Sequence, residues 1–355
     1  MRILVMGGSR FNGYHLVREL VHGGHEVTVL NRGVTPANLP GQVRRLYADR
    51  KDHVHLREIL GKEEYDCIQD VSAYTLDDVQ SMVELFEGRA GHYIFASSTA
   101  VYAASKIMPI TEESPVEIGP RQQDYGRNKI LCERYLLGVW RQRRFPVTIA
   151  RFSMVLGPRN RHPDREQKMW VRLLRGREIL VPGDGTTLGM VGHVEDQARA
   201  MRLMMQTPKT FGQIYNVTGK DYFTDDAYVD TLAEIAGVEA RKVFVPGPVM
   251  DEVAPDAVID AGRLGVRPDE GCSPSSGRPI IQRLAPHIHG WRAPVVFSTK
   301  KLQDDLAYEQ LYSFKSGEAQ TYEWFEREGL ADKLQYDFSV EDALLAMVKG
   351  QKAVR

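Results

Sequence analysis

The chain has 355 residues, 43% of them hydrophobic, with 46 Lys and Arg against 47 Asp and Glu. At roughly 150 residues per domain, this length suggests two domains, or one large α/β domain with an appended piece. The formal net charge of −1 argues against a dedicated nucleic-acid binder, and the 26% of charged residues argues against global disorder. No apolar run approaches the ~20 residues that cross a bilayer. Met1 to Met6 meets Gly7-Gly8 too soon to hold a signal-peptide core. Cys67, Cys132 and Cys272 have no paired spacing, and the histidines show no ligand spacing. No disulfide framework and no metal site are therefore expected. The expected class is a cytoplasmic globular protein without a membrane segment.

In chain order, Ile3 to Met6 reads as a strand ended by glycines. Leu16, Val17, Leu20 and Val21 then repeat at helical spacing until Gly23-Gly24. Val27 to Leu30 is the next strand, which completes one βαβ unit. Strands are expected at Val43–Ala48, Asp66–Val71, Tyr93–Ala96 and Val147–Phe152. Helices are expected at Val54–Leu60, Leu76–Phe86 and Tyr125–Arg143. Such alternation implies a doubly wound parallel sheet covered on both faces, a Rossmann-type α/β fold. After about Gly157 the pattern changes. The expectation is a nucleotide-binding domain over 1–157 and a smaller C-terminal substrate-binding α/β lobe over 158–355, with residues of about 190–220 returning to the first domain. There, Trp170–Leu174 and Asp225–Ala236 read as helices, and Ile214–Val217 as a strand. A dense set of prolines between Pro246 and Pro294 makes 248–294 an irregular insertion. Helical spacing resumes at Lys300–Leu306, Gln320–Glu328 and Val340–Val348.

Gly7-Gly8-Ser9-Arg10-Phe11-Asn12-Gly13 joins the first strand to the first helix. A dinucleotide pyrophosphate needs bare backbone N–H groups at a helix N-terminus, and side chains would block it. Gly7 and Gly8 permit the tight turn, and Gly13 permits close packing of helix on strand. Arg10 replaces the middle glycine and is a candidate phosphate contact. The second strand ends in Asn31-Arg32 where many nicotinamide enzymes place an acid for the ribose. NAD is the expected cofactor, and NADP stays open because Arg32 suits a 2′-phosphate. Asp49-Arg50, after the third strand, is expected at the adenine edge.

Tyr125 and Lys129 stand at i and i+4 on one helix face. Lys129 beside the phenol would favour phenolate and lower the Tyr125 pKa. Tyr125 would then exchange a proton with a substrate hydroxyl while hydride passes to nicotinamide. Ser98 follows the strand ending near Ala96 and would hydrogen-bond the reacting oxygen.

With these motifs on the page, the chain resembles the extended short-chain dehydrogenase/reductases, also called the NAD-dependent epimerase/dehydratase family. The resemblance runs through the Gly7–Gly13 turn, Ser97-Ser98-Thr99-Ala100-Val101-Tyr102, Tyr125 with Lys129, Arg151 to Pro158, Gly183-Asp184-Gly185 and His193-Val194-Glu195-Asp196. It implies Ser98, Tyr125 and Lys129 as the catalytic triad. The cofactor set it implies comprises Gly7, Gly8, Arg10, Phe11, Asn12, Gly13, Asn31, Arg32, Asp49, Arg50, Val71, Ser72, Ala73, Tyr125 and Lys129. Thr99, Ser153, Arg159 and Asn160 are expected to face the substrate. The variant turn with Arg10 and the tail Tyr336-Asp337-Phe338-Ser339 look more like a divergent branch, which includes proteins similar to chloroplast stem-loop-binding proteins.

Two departures bear on chemistry. Thr99-Ala100 stands where 4,6-dehydratases of this family carry Asp-Glu, and Gly185 to Met190 lacks the Arg that grips a substrate diphosphate in many relatives. The expected function is an NAD-dependent epimerase or dehydratase acting on a sugar or nucleoside, with an unphosphorylated substrate preferred. The rival readings are an NADPH-dependent reductase and an RNA-binding protein on the same fold, nucleic acid being the less expected partner. A homodimer is the one protein assembly kept open.

Overall fold

A computed structural model describes residues 1–160, 162, 165–266, 285 and 287–353. The first half alternates strands and helices: β1 (Arg2–Met6), α1 (Phe11–His22), β2 (Glu26–Asn31), β3 (Arg44–Tyr47), α2 (His53–Leu60), β4 (Cys67–Asp70), α3 (Leu76–Phe86), β5 (Tyr93–Ser98), α4 (Asp124–Arg143) and β6 (Val147–Phe152). The second half adds β7 (Val155–Leu156), α5 (Glu166–Leu174), β8 (Ile179–Pro182), β9 (Leu188–Met190), β10 (Gly192–His193), α6 (Val194–Met204), β11 (Gln213–Val217), β12 (Tyr222–Thr224), α7 (Asp225–Ile235), β13 (Lys242–Val245) and α8 (Gly247–Val253). The last helices are α9 (Lys300–Leu306), α10 (Phe314–Arg327), α11 (Leu330–Lys333) and α12 (Ser339–Ala353).

Seven strands form one sheet in the order β11-β6-β5-β4-β1-β2-β3, and every neighbouring pair is parallel. Ile3, Leu4, Val5 and Met6 are all buried, as expected when both faces of a sheet are covered. Ile3 and Val5 face Leu16, Val17 and Leu20 of α1 and Met201 of α6. Leu4 and Met6 face the other side, with Val83 of α3 and Leu136 of α4. The strand order reverses between β1 and β4, which opens a crevice at their C-terminal ends. A second core, around Trp170, Leu180, Leu232, Val245, Phe325 and Leu344, is built from α5, β8, α7, β13, α10 and α12. No helix among the described residues is long and apolar enough to cross a membrane.

Differences from the sequence reading concentrate in the tail. The expected irregular insertion contains a helix, α8, with Pro248 in its first turn, where its missing N–H is not needed. α10 starts at Phe314 rather than near Gln320, because Ser313 and Ser316 form a reciprocal cap. Residues 267–284 and 286, with Cys272, lie outside the described residues.

Glu166 at the start of α5 and Glu318 on α10 are among the carboxyls buried in the second core, 2% and 1% exposed. Asn160 Nδ2 donates to Glu166 Oε1 at 2.8 Å, whereas Glu318 Oε2 has no hydrogen-bond partner. Burial, and then the charge of Glu166, push the Glu318 carboxyl well above its ordinary range. A carboxyl so raised stabilises the fold fully at pH below its unfolded pKa, and that contribution is lost as pH rises through the folded value. Glu318→Gln keeps the volume and cannot ionise. It should melt above the parent protein at pH above ~6, with the gap closing as pH falls toward ~4. Thermal melts across that range check this, and a pH-independent gap would remove Glu318 from the stability profile.

Candidate active site

The turn between β1 and α1 is built for close approach. Gly7 has φ +96°, and a Cβ there would lie 2.6 Å from Ser72 Cβ, so the loops after β1 and β4 touch. A Cβ on Gly13 would lie 2.2 Å from the Gly7 carbonyl oxygen. The first turn of α1 carries no acid, which leaves the positive end of its dipole open to an anion. Gly8 packs on Val17 and Val29. Phe11 is buried against Val155 and Val194. These residues fit a dinucleotide pyrophosphate: the turn leaves no room for side chains, and the helix end supplies N–H groups.

Around this turn, Asn31 Nδ2 donates to Ser9 Oγ at 2.6 Å, and Asn31 Oδ1 accepts from Gly33 N at 2.8 Å. Asn31 thus braces the turn from the end of β2. Asn12 Nδ2 donates to the buried Gln197 Oε1 at 3.3 Å, which ties the turn to α6. Arg10 Nε donates to Thr35 Oγ1 at 3.0 Å, and Arg10 and Arg32 are exposed at the rim. Asp49 is exposed and accepts from Lys51 N.

Arg50 requires a correction. Its guanidinium is taken up by protein partners: it donates to both Asp70 oxygens at 2.9 and 3.0 Å, to Ser72 Oγ, and to the Asp78 carbonyl. An ion pair of 3.1 Å to Asp78 Oδ1 completes its shell. Asp70 also accepts from Tyr93 Oη and from the N–H groups of Ser72 and Ala73. Asp78 accepts from Tyr74 N and Thr75 N. The buried cluster therefore fixes the loop Val71-Ser72-Ala73 at the C-terminal end of β4, and Arg50 acts through that loop.

Across the crevice, α4 carries Tyr125 and Lys129. Ser98, 5% exposed, caps the short turn Thr99–Val101 by accepting from Ala100 N, and its hydroxyl is near enough to the Tyr125 phenol to favour the ionised form. Lys129 Nζ, 4% exposed, donates to the carbonyls of Ala73 and Ala96 at 2.7 Å each. It stands 5.8 Å from the Tyr125 ring centre. Burial lowers its pKa to about 8, against the charge of Asp70. The expected lowering of the phenol pKa by Lys129 does not hold. Burial of the hydroxyl end raises Tyr125 above its ordinary value, and the nearby Ser98 hydroxyl opposes that. Lys129 gives two of its three N–H donors to these carbonyls, and it is not among the groups that move the Tyr125 pKa.

On the expected substrate side, three side chains turn inward. Thr99 is fully buried and donates to the Phe152 carbonyl. Ser153 donates to the Met154 carbonyl, and Asn160 binds Glu166. These contacts hold the backbone after β5 and β6 and use the hydroxyl protons of Thr99 and Ser153 and one amide proton of Asn160. Arg159 stands 4.1 Å over the Tyr14 ring on α1. Arg161 lies outside the described residues.

The sequence reading missed two groups. Arg165, at the N-cap of α5, donates to the Val155 carbonyl at 2.6 Å, and its charge reaches the Tyr125 phenol. Tyr74 is 56% exposed, 6.1 Å from the Tyr125 ring. Both sit in loops without periodicity, so no pattern marked them. A direct test of the turn is Gly13→Ala. NAD affinity by calorimetry should fall by at least about tenfold with an unchanged far-UV circular dichroism spectrum. Unchanged affinity would place the dinucleotide elsewhere.

Comparison with known proteins agrees with this geometry. A family profile described as NAD dependent epimerase/dehydratase family matches residues 3–218. The chain is 32% identical over 261 residues to the chloroplast stem-loop binding protein of 41 kDa b of Arabidopsis thaliana, which covers 70% of this chain and 66% of that protein. It is 28% identical over 177 residues to a UDP-glucose 4-epimerase of Lactobacillus helveticus, covering 44% and 52%. The matched stretch thus spans less than two thirds of each relative. Among solved structures, the NAD complex of dTDP-glucose 4,6-dehydratase from Bacillus anthracis superposes with a TM-score of 0.71 at 17% identity, covering 93% of this chain and 98% of that one. A UDP-glucose 4-epimerase from Thermotoga maritima with UDP-glucose gives 0.70 at 20% identity, covering 92% and 99%. These two likenesses show a shared fold. Together with the match over residues 3–218, they place this chain in the NAD-dependent epimerase/dehydratase family, whose cofactor is NAD.

Proposed function

We propose that this protein oxidises a ring hydroxyl of a sugar or nucleoside to a ketone, allows the ketone to be modified, and reduces it again. The observation that carries the reading is the grouping of the buried Ser98 and Lys129 with Tyr125: Lys129 Nζ is bonded to the Ala96 carbonyl of β5, the strand that ends in Ser98, and stands 5.8 Å from the Tyr125 ring centre. NAD, when bound, supplies the hydride acceptor and returns the hydride. Ser98 orients the reacting oxygen. Tyr125 carries the hydroxyl proton, and Lys129 ties the loop at Ala73 to strand β5 at Ala96. A phenol raised above its ordinary value suits the half-cycle in which a ketone must be protonated. A ketone acidifies the neighbouring C–H bonds, so either epimerisation or loss of water can follow. The reading favours epimerisation, because Thr99 and Ala100 are buried and non-acidic and offer no second proton carrier.

For the substrate we infer an unphosphorylated glycoside or nucleoside. Buried diphosphate charge needs cationic partners. Gly185 to Met190 offers none, Arg159 lies on Tyr14, and Arg165 is bonded to Val155. The stem-loop binding that names the Arabidopsis relative is not extended to a chain with a formal net charge of −1. The reading places the protein in a reducing compartment, the cytoplasm, where the buried thiols of Cys67 and Cys132 stay unpaired. A homodimer is compatible with it.

Two experiments bear on this. Mixing NAD-loaded protein with methyl β-D-glucoside, uridine or UDP-glucose should form bound NADH, seen by fluorescence, with the neutral compounds and not with UDP-glucose. Micromolar binding of UDP-glucose alone would overturn the substrate inference. Co-purification of NADPH with net reduction of a carbonyl would favour the reductase. In the second, Tyr125→Phe should slow NADH formation by ~10²–10⁴-fold while NAD still binds. In the parent protein the oxidising half-cycle should speed up as pH rises, because it needs the raised phenol to give up its proton. The phenylalanine variant should lose that slope.

A further inference from the structure

We infer that His287 is a positioning residue for the helix that carries Tyr125, and that Ala285 and residues 287–291 clasp together the two arms that carry Ser98 and Tyr125. The inference rests on the reading of Tyr125 as the proton carrier. It starts from where the end of the proline-rich insertion comes to rest.

Ala285 and Ile288 pack on Ala100, two residues beyond Ser98. On the other arm, Arg121 Nη2 donates to the carbonyls of Ile288 and His287 at 2.5 and 3.3 Å. The N–H of Gln123, two residues before Tyr125, donates to His287 Nε2 at 3.0 Å. It shares that proton with Gln122 Oε1, also at 3.0 Å. Gln122 Nε2 in turn donates to the Ala100 carbonyl at 3.0 Å. Gln123 is the N-cap of α4, and its own side chain caps nothing. An imidazole from a distant segment thus supplies a second acceptor for this N–H, beside Gln122 Oε1. At the far end of the segment, Trp291 Nε1 donates to Asp251 Oδ1 of α8 at 2.9 Å, and its ring fills the space beside Gly183. The segment therefore runs from the catalytic arms to the second core.

Acceptance at Nε2 requires a neutral imidazole with its proton on Nδ1. Protonation removes the lone pair and sets a positive charge at the positive end of the α4 dipole. Among the described residues, the charged and titratable groups near this contact include Arg121, Asp124 at the first position of α4, Arg127, whose guanidinium donates to the Gln122 carbonyl, and His289, two residues on in the chain. The clasp holds at neutral pH and loosens as pH falls through the histidine range. Tyr125 then loses its fixed distance to Ser98.

Hydrogen exchange on the NAD-loaded protein tests this without any substrate. After correction for intrinsic exchange, the amides of Gln123 to Gly126 should exchange about three- to tenfold faster at pH ~5 than at pH ~8. His287→Ala should exchange fast at both. His287→Gln, whose amide oxygen accepts at any pH, should exchange slowly at both. With methyl β-D-glucoside or uridine, the acid limb of NADH formation should be present in the parent and absent in His287→Gln, and His287→Ala should lower kcat more than it raises KM. Equal exchange in the parent and His287→Ala, or an acid limb unchanged in His287→Gln, would overturn the assignment. If neither compound reduces bound NAD in the parent, the reading of Tyr125 fails, while the exchange data still decide whether the clasp exists.

Discussion

A single buried guanidinium, Arg50, holds the crevice in shape. It stands between Asp70, which is fully buried, and Asp78, and meets both within hydrogen-bond distance. Taking three charges out of water is costly, and it is compensated here by near-complete hydrogen bonding of each group. Removing Arg50 would leave the buried Asp70 without a cation, while Asp78 would keep Lys51 at 2.8 Å. The geometry that follows from this cluster is specific. Asp70 and Asp78 between them bind four successive N–H groups, Ser72 to Thr75. That fixes the Ala73 carbonyl, which receives Lys129, and it presents Ser72 to Gly7. The glycine turn after β1 and helix α4 are thus aligned through a loop that belongs to neither.

A second set of contacts joins the sheet to the lobe beyond it. His15 of α1 pairs with Glu195 of α6 at 3.5 Å, and Tyr312, before α10, donates to the same carboxylate at 2.6 Å. The His15 hydrogen bond is the main cause holding Glu195 down at about 2. Asp196 accepts from the N–H groups of Leu311 and Tyr312. The start of α6 is therefore a hub. Through Gln197 it touches the cofactor turn, and through Glu195 and Asp196 it holds the approach to α10.

Much of this was legible from residue order alone. The β1–α1–β2 unit declares itself because apolar runs of strand length alternate with helical spacing and end at glycines. Tyr125 and Lys129 declare themselves because four residues make one helical turn. What stayed hidden was pairing across elements. Nothing near Arg50 in sequence points to Asp70 or Asp78, so a guanidinium after β3 reads as a ligand contact. Side-chain direction was equally hidden. Thr99, Ser153 and Asn160 sit at the expected strand ends, but their polar atoms satisfy nearby backbone or Glu166. The start of α10 was missed because Ser316, Gly317 and Glu318 look like a polar linker, while Glu318 is one of the most deeply buried carboxyls in the chain.

The sheet has two open margins, and they are treated differently. On β11, Lys301 of α9 donates to the Ile214 carbonyl, and the helix lies along the strand. On β3, Arg44 and Arg45 are exposed, and Arg44 is anchored to Glu63 at 3.0 and 3.1 Å. A foreign strand approaching that margin would have to bury two guanidiniums to gain its ladder of backbone hydrogen bonds. An ion pair that adds little to folding stability thereby guards a concentrated solution of this protein against growing its sheet from one molecule into the next.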